Sequence, residues 1–137
     1  ESESFEIAVE NLQAMGLKVK EGKFLRKTYG YLAGTDEERA GELNEMLRDD
    51  SVDAVMAIRG GSGCNRILDK IDYEAIRKNP KPIAGYSDLT AIINAVYAKT
   101  GLVTFHAPMG ASTWNKFTYD SFRSVLFEGK KTVCKKG

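Results

Sequence analysis

Apolar positions divide the chain into short helices and shorter strands. Phe5, Ala8, Val9, Leu12 and Met15 recur at three- and four-residue intervals, which makes one apolar stripe on a helix. Gly16 follows where such a helix would stop. Leu17 to Lys20 alternates apolar and polar, the pattern of a short strand. A glycine-bearing loop then runs to Gly34. Thr35 and Glu38 have the capping-box spacing, and the helix they open carries Ala40, Leu43, Met46 and Leu47 on one face to about Arg48. Asp53 to Ile58 is a compact apolar run suited to a buried parallel strand. Short helices are predicted over Cys64 to Lys70 and Tyr73 to Lys78, the second stopped before Pro80. Pro82 to Gly85 is the next strand. Leu89, Ile92, Ile93, Val96 and Tyr97 form a strong amphipathic helix ended by Gly101. Leu102 to Phe105 is a further strand, and Tyr119 to Phe127 a last helix with Phe122, Val125 and Leu126 inward.

Strands that alternate with helices predict an α/β fold: an open, mostly parallel sheet with helices on both faces. The pattern opens on a helix, whereas a crossover helix needs a strand on each side. A strand upstream of the first helix is therefore expected in the natural protein. The 137 residues fit one domain.

Composition narrows the choice of partner. A 42% hydrophobic fraction supports a packed core, and 20 basic against 19 acidic residues give a net charge of only +1. Nothing in that balance calls for nucleic acid or an anionic membrane. The lysines at 130, 131, 135 and 136 read as a solvated tail. No apolar run approaches the roughly 20 residues that span a bilayer. Two cysteines, Cys64 and Cys134, do not make a disulfide framework and suit a cytosolic protein with free thiols. With one histidine and no Cys-x-x-Cys, neither a zinc site nor any other cofactor is expected.

Sites in open parallel sheets form in loops after the carboxyl ends of strands. Two such loops carry chemistry. In Arg59-Gly60-Gly61-Ser62-Gly63-Cys64 the glycines let backbone N–H groups approach a ligand or an oxyanion. A plain tight turn would use the same residues. The loop lacks the Gly-Lys-Ser/Thr ending of a nucleotide P-loop. In Gly85-Tyr86-Ser87-Asp88 a serine sits between a strand and a helix, the setting of a nucleophile elbow, with the Asp88 N–H able to face an oxyanion. Serine is equally a good helix N-cap, which is the commoner use of such a pattern. The two readings differ in backbone: the elbow requires positive φ at Ser87, the cap an ordinary extended conformation. Ser62 reads as a turn residue. Cys64, at a helix start, is either an activated thiol or a buried inert one. His106, after a strand, is either a base or a hydrogen-bonding wall residue.

Four stretches together resemble the L,D-carboxypeptidases, the family of murein tetrapeptide carboxypeptidases and microcin-immunity peptidases. They are Gly30-Tyr-Leu-Ala-Gly-Thr-Asp-Glu-Glu-Arg39, Arg59-Gly-Gly-Ser-Gly63, Gly85-Tyr-Ser-Asp-Leu-Thr90 and Thr104-Phe-His-Ala-Pro108. Their order and spacing match, and the resemblance covers nearly the whole chain. It implies a serine peptidase without metal, in which Ser87 is the nucleophile and the N–H groups of Asp88 and Gly61 form the oxyanion hole. Gly60, Ser62, Tyr86 and His106 would line the substrate. The family's glutamate and histidine triad partners lie in a second, C-terminal domain that nothing here matches. His106 matches a different motif histidine. The family opens with a strand before the first helix, in agreement with the topology above. The resemblance further implies a cytoplasmic homodimer acting on a murein tetrapeptide in cell-wall recycling, or on acyl-sulfamoyl or peptidyl-nucleotide antibiotics. Two readings lie outside the family: a cysteine hydrolase that uses Cys64, and a non-catalytic, phosphate-binding module at the Gly63–Cys64 turn. Ser62 stands where the family often has an aromatic residue, and Ala107 where it has glycine. By this reading the 137 residues alone are inactive. The Gly61 N–H and the Ser87 hydroxyl should also face one cleft, about 6 Å apart at most, so that one carbonyl group reaches both.

Overall fold

A computed structural model describes residues 2–131. In chain order the elements are α1 (Ser2–Ala14), α2 (Asp36–Arg48), β1 (Val55–Met56), a 3-10 helix (Cys64–Lys70), α3 (Tyr73–Lys78), β2 (Ile83–Gly85), a 3-10 turn (Ser87–Leu89), α4 (Thr90–Thr100), β3 (Phe105–His106) and α5 (Lys116–Leu126). The three strands form one parallel sheet in the order β1-β2-β3. Val55 lies opposite Ile83, Ala84 opposite Phe105, and Gly85 opposite His106. Helices supply both crossovers, as parallel neighbours require. The architecture is the open parallel α/β layer that the alternation of elements predicts.

Local chemistry fixes the helix ends. The Glu38 N–H donates to Thr35 Oγ1 at 3.2 Å and the Thr35 N–H donates to Glu38 Oε2 at 3.0 Å, a complete capping box at the start of α2. Gly101 closes α4 in the left-handed region at φ 75°. At the far end of α2 the buried Lys81 ammonium donates to the carbonyls of Met46 and Asp49. These are carbonyls that a helix end leaves without a helical partner.

The main core joins α2, α3, α4, β2 and the 3-10 helix through Ala40, Leu47, Ile67, Ile76, Ile83, Ile92, Ile93 and Val96. Full burial of each large aliphatic side chain contributes about 1.5–3 kcal/mol. A separate contact fastens α1. Its Ala8 packs on Gly110, and Asn11 Nδ2 donates to the Gly110 carbonyl at 2.8 Å. The Gly110 and Ala111 N–H groups donate to the carbonyls of Ala57 and Ile58, just past β1.

Several boundaries differ from the sequence reading. Leu17 to Lys20 keeps its alternating exposure but is not a strand. An extended segment becomes a strand only when a neighbour exchanges backbone hydrogen bonds with it, and none does so here among the described residues. The strand expected over Asp53–Ile58 contracts to Val55–Met56, and that over Leu102–Phe105 shifts to Phe105–His106. The last helix begins at Lys116, because the Asn115 side chain caps it by accepting from the Thr118 N–H at 2.9 Å. Cys134 and the lysines at 135 and 136 lie outside the described residues.

Candidate active site

The β2–α4 turn carries the one non-glycine residue with positive φ among the described residues: Ser87, at 62°. This is the left-handed region, unfavourable for a residue with a Cβ. Ser87 is therefore not an ordinary N-cap, and no side-chain cap bond is made at this turn. Its side chain is exposed, at the carboxyl end of the central strand. Gly85 makes the turn possible: a Cβ there would stand 2.1 Å from Leu89 Cδ2 and 3.4 Å from Ala57 Cβ.

The four sequence stretches, far apart along the chain, are joined at this turn. Gly60 lies against Ser87, so that a Cβ on Gly60 would be 3.0 Å from both Ser87 Cβ and Oγ. The Cys64 N–H donates to Asp88 Oδ2 at 2.9 Å. Arg39 Nη2 donates to the Gly63 carbonyl at 3.2 Å and to Asp36 Oδ1 at 2.6 Å, and Leu32 packs on Gly63. The hydrogen bond from Arg39 holds the Asp36 carboxyl below its usual range. On the other side, the Ala107 N–H donates to the Gly85 carbonyl, and the His106 and Tyr86 rings lie 6.1 Å apart, tilted at 58°. Thr104 Oγ1 donates to the Ile93 carbonyl and so ties β3 to α4.

Of the residues singled out in the sequence, Ser87, Asp88, Gly60, Tyr86 and His106 thus meet around one turn. Gly61 and Ser62 continue the same loop at the surface. The glycine in direct contact with Ser87 is Gly60 rather than Gly61. Cys64 is a free thiol. Burial, then the neighbouring Asp88 carboxylate, push it up to about 12, so it is not an activated nucleophile. Sequence reasoning missed the Asp88 carboxylate, Arg39 as the holder of the Gly63 carbonyl, and Met109, whose Cε would be 3.7 Å from a Cβ on Gly60. The presence of Arg39 and Asp88 in the matching stretches was the available signal; nothing pointed to Met109. No group of His, Cys, Asp and Glu among the described residues is arranged to hold a metal ion.

An exposed serine with left-handed backbone thus stands at the end of a parallel strand, backed by a glycine-rich loop, in an open α/β domain. The family model of the LD-carboxypeptidase N-terminal domain matches residues 1–107, and the chain belongs to that family. It is 49% identical over 126 residues to a probable murein peptide carboxypeptidase of Bacillus subtilis, covering 88% of this chain and 40% of the relative. It is 42% identical over 124 residues to the microcin self-immunity protein MccF of Escherichia coli, covering 86% of this chain and 36% of the relative. The solved structure of MccF with glutamyl sulfamoyl guanosine superposes with a TM-score of 0.86 at 40% identity, over 91% of this chain and 39% of that one. A muramoyltetrapeptide carboxypeptidase from Oxalobacter formigenes gives 0.81 at 28% identity, over 92% of this chain and 44% of that one. The chain thus spans about two fifths of the length of these relatives.

Proposed function

We propose that this chain is the nucleophile-bearing domain of a serine L,D-carboxypeptidase that removes the terminal D-alanine from murein tetrapeptides during cell-wall recycling in the cytoplasm. The observation that carries the reading is the left-handed backbone of Ser87 on an exposed turn. Ser87 Oγ attacks the carbonyl before the terminal D-alanine. The N–H groups of Asp88 and Gly61 take up the charge on the oxyanion. A histidine from outside these 137 residues, oriented by a glutamate, accepts the hydroxyl proton and passes it to the leaving D-alanine amine. Water then hydrolyses the acyl-serine ester and regenerates Ser87. Gly60, Ser62, Tyr86 and His106 line the substrate, and the full-length protein works as a homodimer without a cofactor. The kinship with MccF supports a second substrate class, peptidyl or aminoacyl sulfamoyl nucleosides, attacked by the same serine.

A phosphate site at the Gly63–Cys64 turn has less support. The Cys64 N–H that would meet the anion is already bonded to the Asp88 carboxylate. Serine needs a positioned base, and the one histidine of the chain is His106. Release of D-alanine from a murein tetrapeptide tests the reading. The full-length protein should act without added metal and lose at least about a thousandfold in kcat on Ser87→Ala. The 137-residue chain should show no turnover. Full activity in Ser87→Ala would remove Ser87 from the mechanism. Turnover by the isolated chain that His106→Ala abolishes would replace the two-domain triad with a local Ser87–His106 dyad.

A further inference from the structure

The elbow contains one charged group to which the hydrolytic steps above give no role, the Asp88 carboxylate. It sits half-buried between two loops and accepts the Cys64 N–H from 24 residues earlier in the chain. Cys64 begins a 3-10 helix whose first N–H groups lack intrahelical acceptors. The residue before it, Gly63, is in the left-handed region at φ 102° and has no side chain to supply one. Asp88 fills that need from another element. Arg39 holds the Gly63 carbonyl while Asp88 holds the next N–H, so the Gly63–Cys64 peptide bond is fixed at both ends. The same loop presses Gly60 against Ser87.

Left-handed backbone at a non-glycine residue persists only where its surroundings over-determine it. We propose that the Asp88 carboxylate is a positioning group: it latches the elbow to the glycine-rich loop, and so sets the aim of Ser87 relative to the oxyanion-binding N–H groups. Asp88 then acts twice, through its N–H on the oxyanion and through its side chain on the loop that carries Gly61. The proposal rests on the carboxypeptidase reading for its effect on rate, while the latch itself is independent of it.

The test uses the full-length protein as Asp88→Ala and Asp88→Asn, with Asp72→Ala as control. Asp72 also accepts a helix N–H, that of Ala75 at 2.9 Å, at the start of α3 rather than at the elbow. A displacement of the loops by about 1 Å can cost on the order of a hundredfold in rate. Asp88→Ala is therefore expected to lower kcat about a hundredfold with KM within about threefold, while Asp72→Ala leaves both near wild type. Asp88→Asn keeps a carbonyl acceptor of the same shape and should retain about a tenth of the activity. Amide hydrogen exchange at Cys64 should accelerate in Asp88→Ala. A kcat in Asp88→Ala no lower than in Asp72→Ala would overturn the positioning role. Unchanged exchange at Cys64 would overturn the latch whatever the activity. Were Ser87→Ala to remain active, the catalytic reading would fail, and exchange at Cys64 would still decide whether the latch exists.

Discussion

Thr35 and Ser87 are both hydroxyl residues at the start of a helical segment, each followed by an aspartate. Thr35 has φ −67°, accepts the Glu38 N–H, and is tied back by the Glu38 carboxylate. Ser87 has φ 62° and makes no cap bond. Asp36 pairs with Arg39 on its own helix and with Arg66 on the 3-10 helix, and Asp88 reaches across to the Cys64 N–H. At Thr35 the side chain serves the backbone locally. At Ser87 the neighbouring groups come from a loop far away in sequence, and the hydroxyl caps no helix N–H. Hydroxyl residues at the same kind of boundary thus take two conformations, which the backbone angle separates.

The contrast breaks most readily at the glycines around Ser87. Gly60→Ala places a methyl 3.0 Å from both Ser87 Cβ and Oγ, tighter than ordinary contact, so the serine side chain must shift. It should lower kcat of the full-length protein more than tenfold, since reacting groups tolerate little displacement. Gly85→Ala meets Leu89 and Ala57 and should cost about 1–3 kcal/mol by overpacking. Steady-state kinetics and urea midpoints check both variants. Wild-type kcat in Gly60→Ala would mean that the contact with Ser87 has no bearing on reaction.

What could be read in the sequence divides along the same line. The capping box at Thr35 and the stops at Gly16 and Gly101 depend on residues a few positions apart, and the structure shows them as expected; of the α4 stripe, Ile92, Ile93 and Val96 are buried, while Tyr97 is exposed and Leu89 lies in the 3-10 turn before the helix. Leu17 to Lys20 failed as a strand because alternation describes one face of a segment and not the neighbour it must pair with. At the candidate site, local pattern left Ser87 divided between cap and elbow. The family likeness named the stretches, but not the bonds among them. The links from Cys64 to Asp88 and from Arg39 to Gly63 each span 24 residues, beyond any helical or strand period.

A smaller effect sharpens the contrast at the hydroxyls themselves. Thr35→Ala removes a cap bond and should destabilise by about 1 kcal/mol without changing kcat. Ser87→Ala removes no cap and should change stability by less than about 0.5 kcal/mol, in spite of its effect on activity. Thermal or urea unfolding of the two full-length variants gives the comparison. Equal destabilisation would show that the Ser87 hydroxyl does serve its helix.

The smallest effect is the most specific, because its sign reverses between the two positions. Glycine at an N-cap position is tolerated and keeps the backbone N–H that donates to the Glu38 carboxylate, so Thr35→Gly should cost only a few tenths of a kcal/mol. At Ser87, left-handed backbone costs a residue with a Cβ about 1–2 kcal/mol, and glycine avoids that cost. Against this stands the greater freedom of glycine in the unfolded chain, worth about 0.5–1 kcal/mol. The balance favours the folded state, so Ser87→Gly should raise the unfolding free energy by up to about 1 kcal/mol while it abolishes turnover. A serine at an ordinary cap would show the opposite sign. Destabilisation by Ser87→Gly of the size seen for Thr35→Gly would mean that Ser87 bears no strain, and the distinction between cap and elbow would lose its energetic basis.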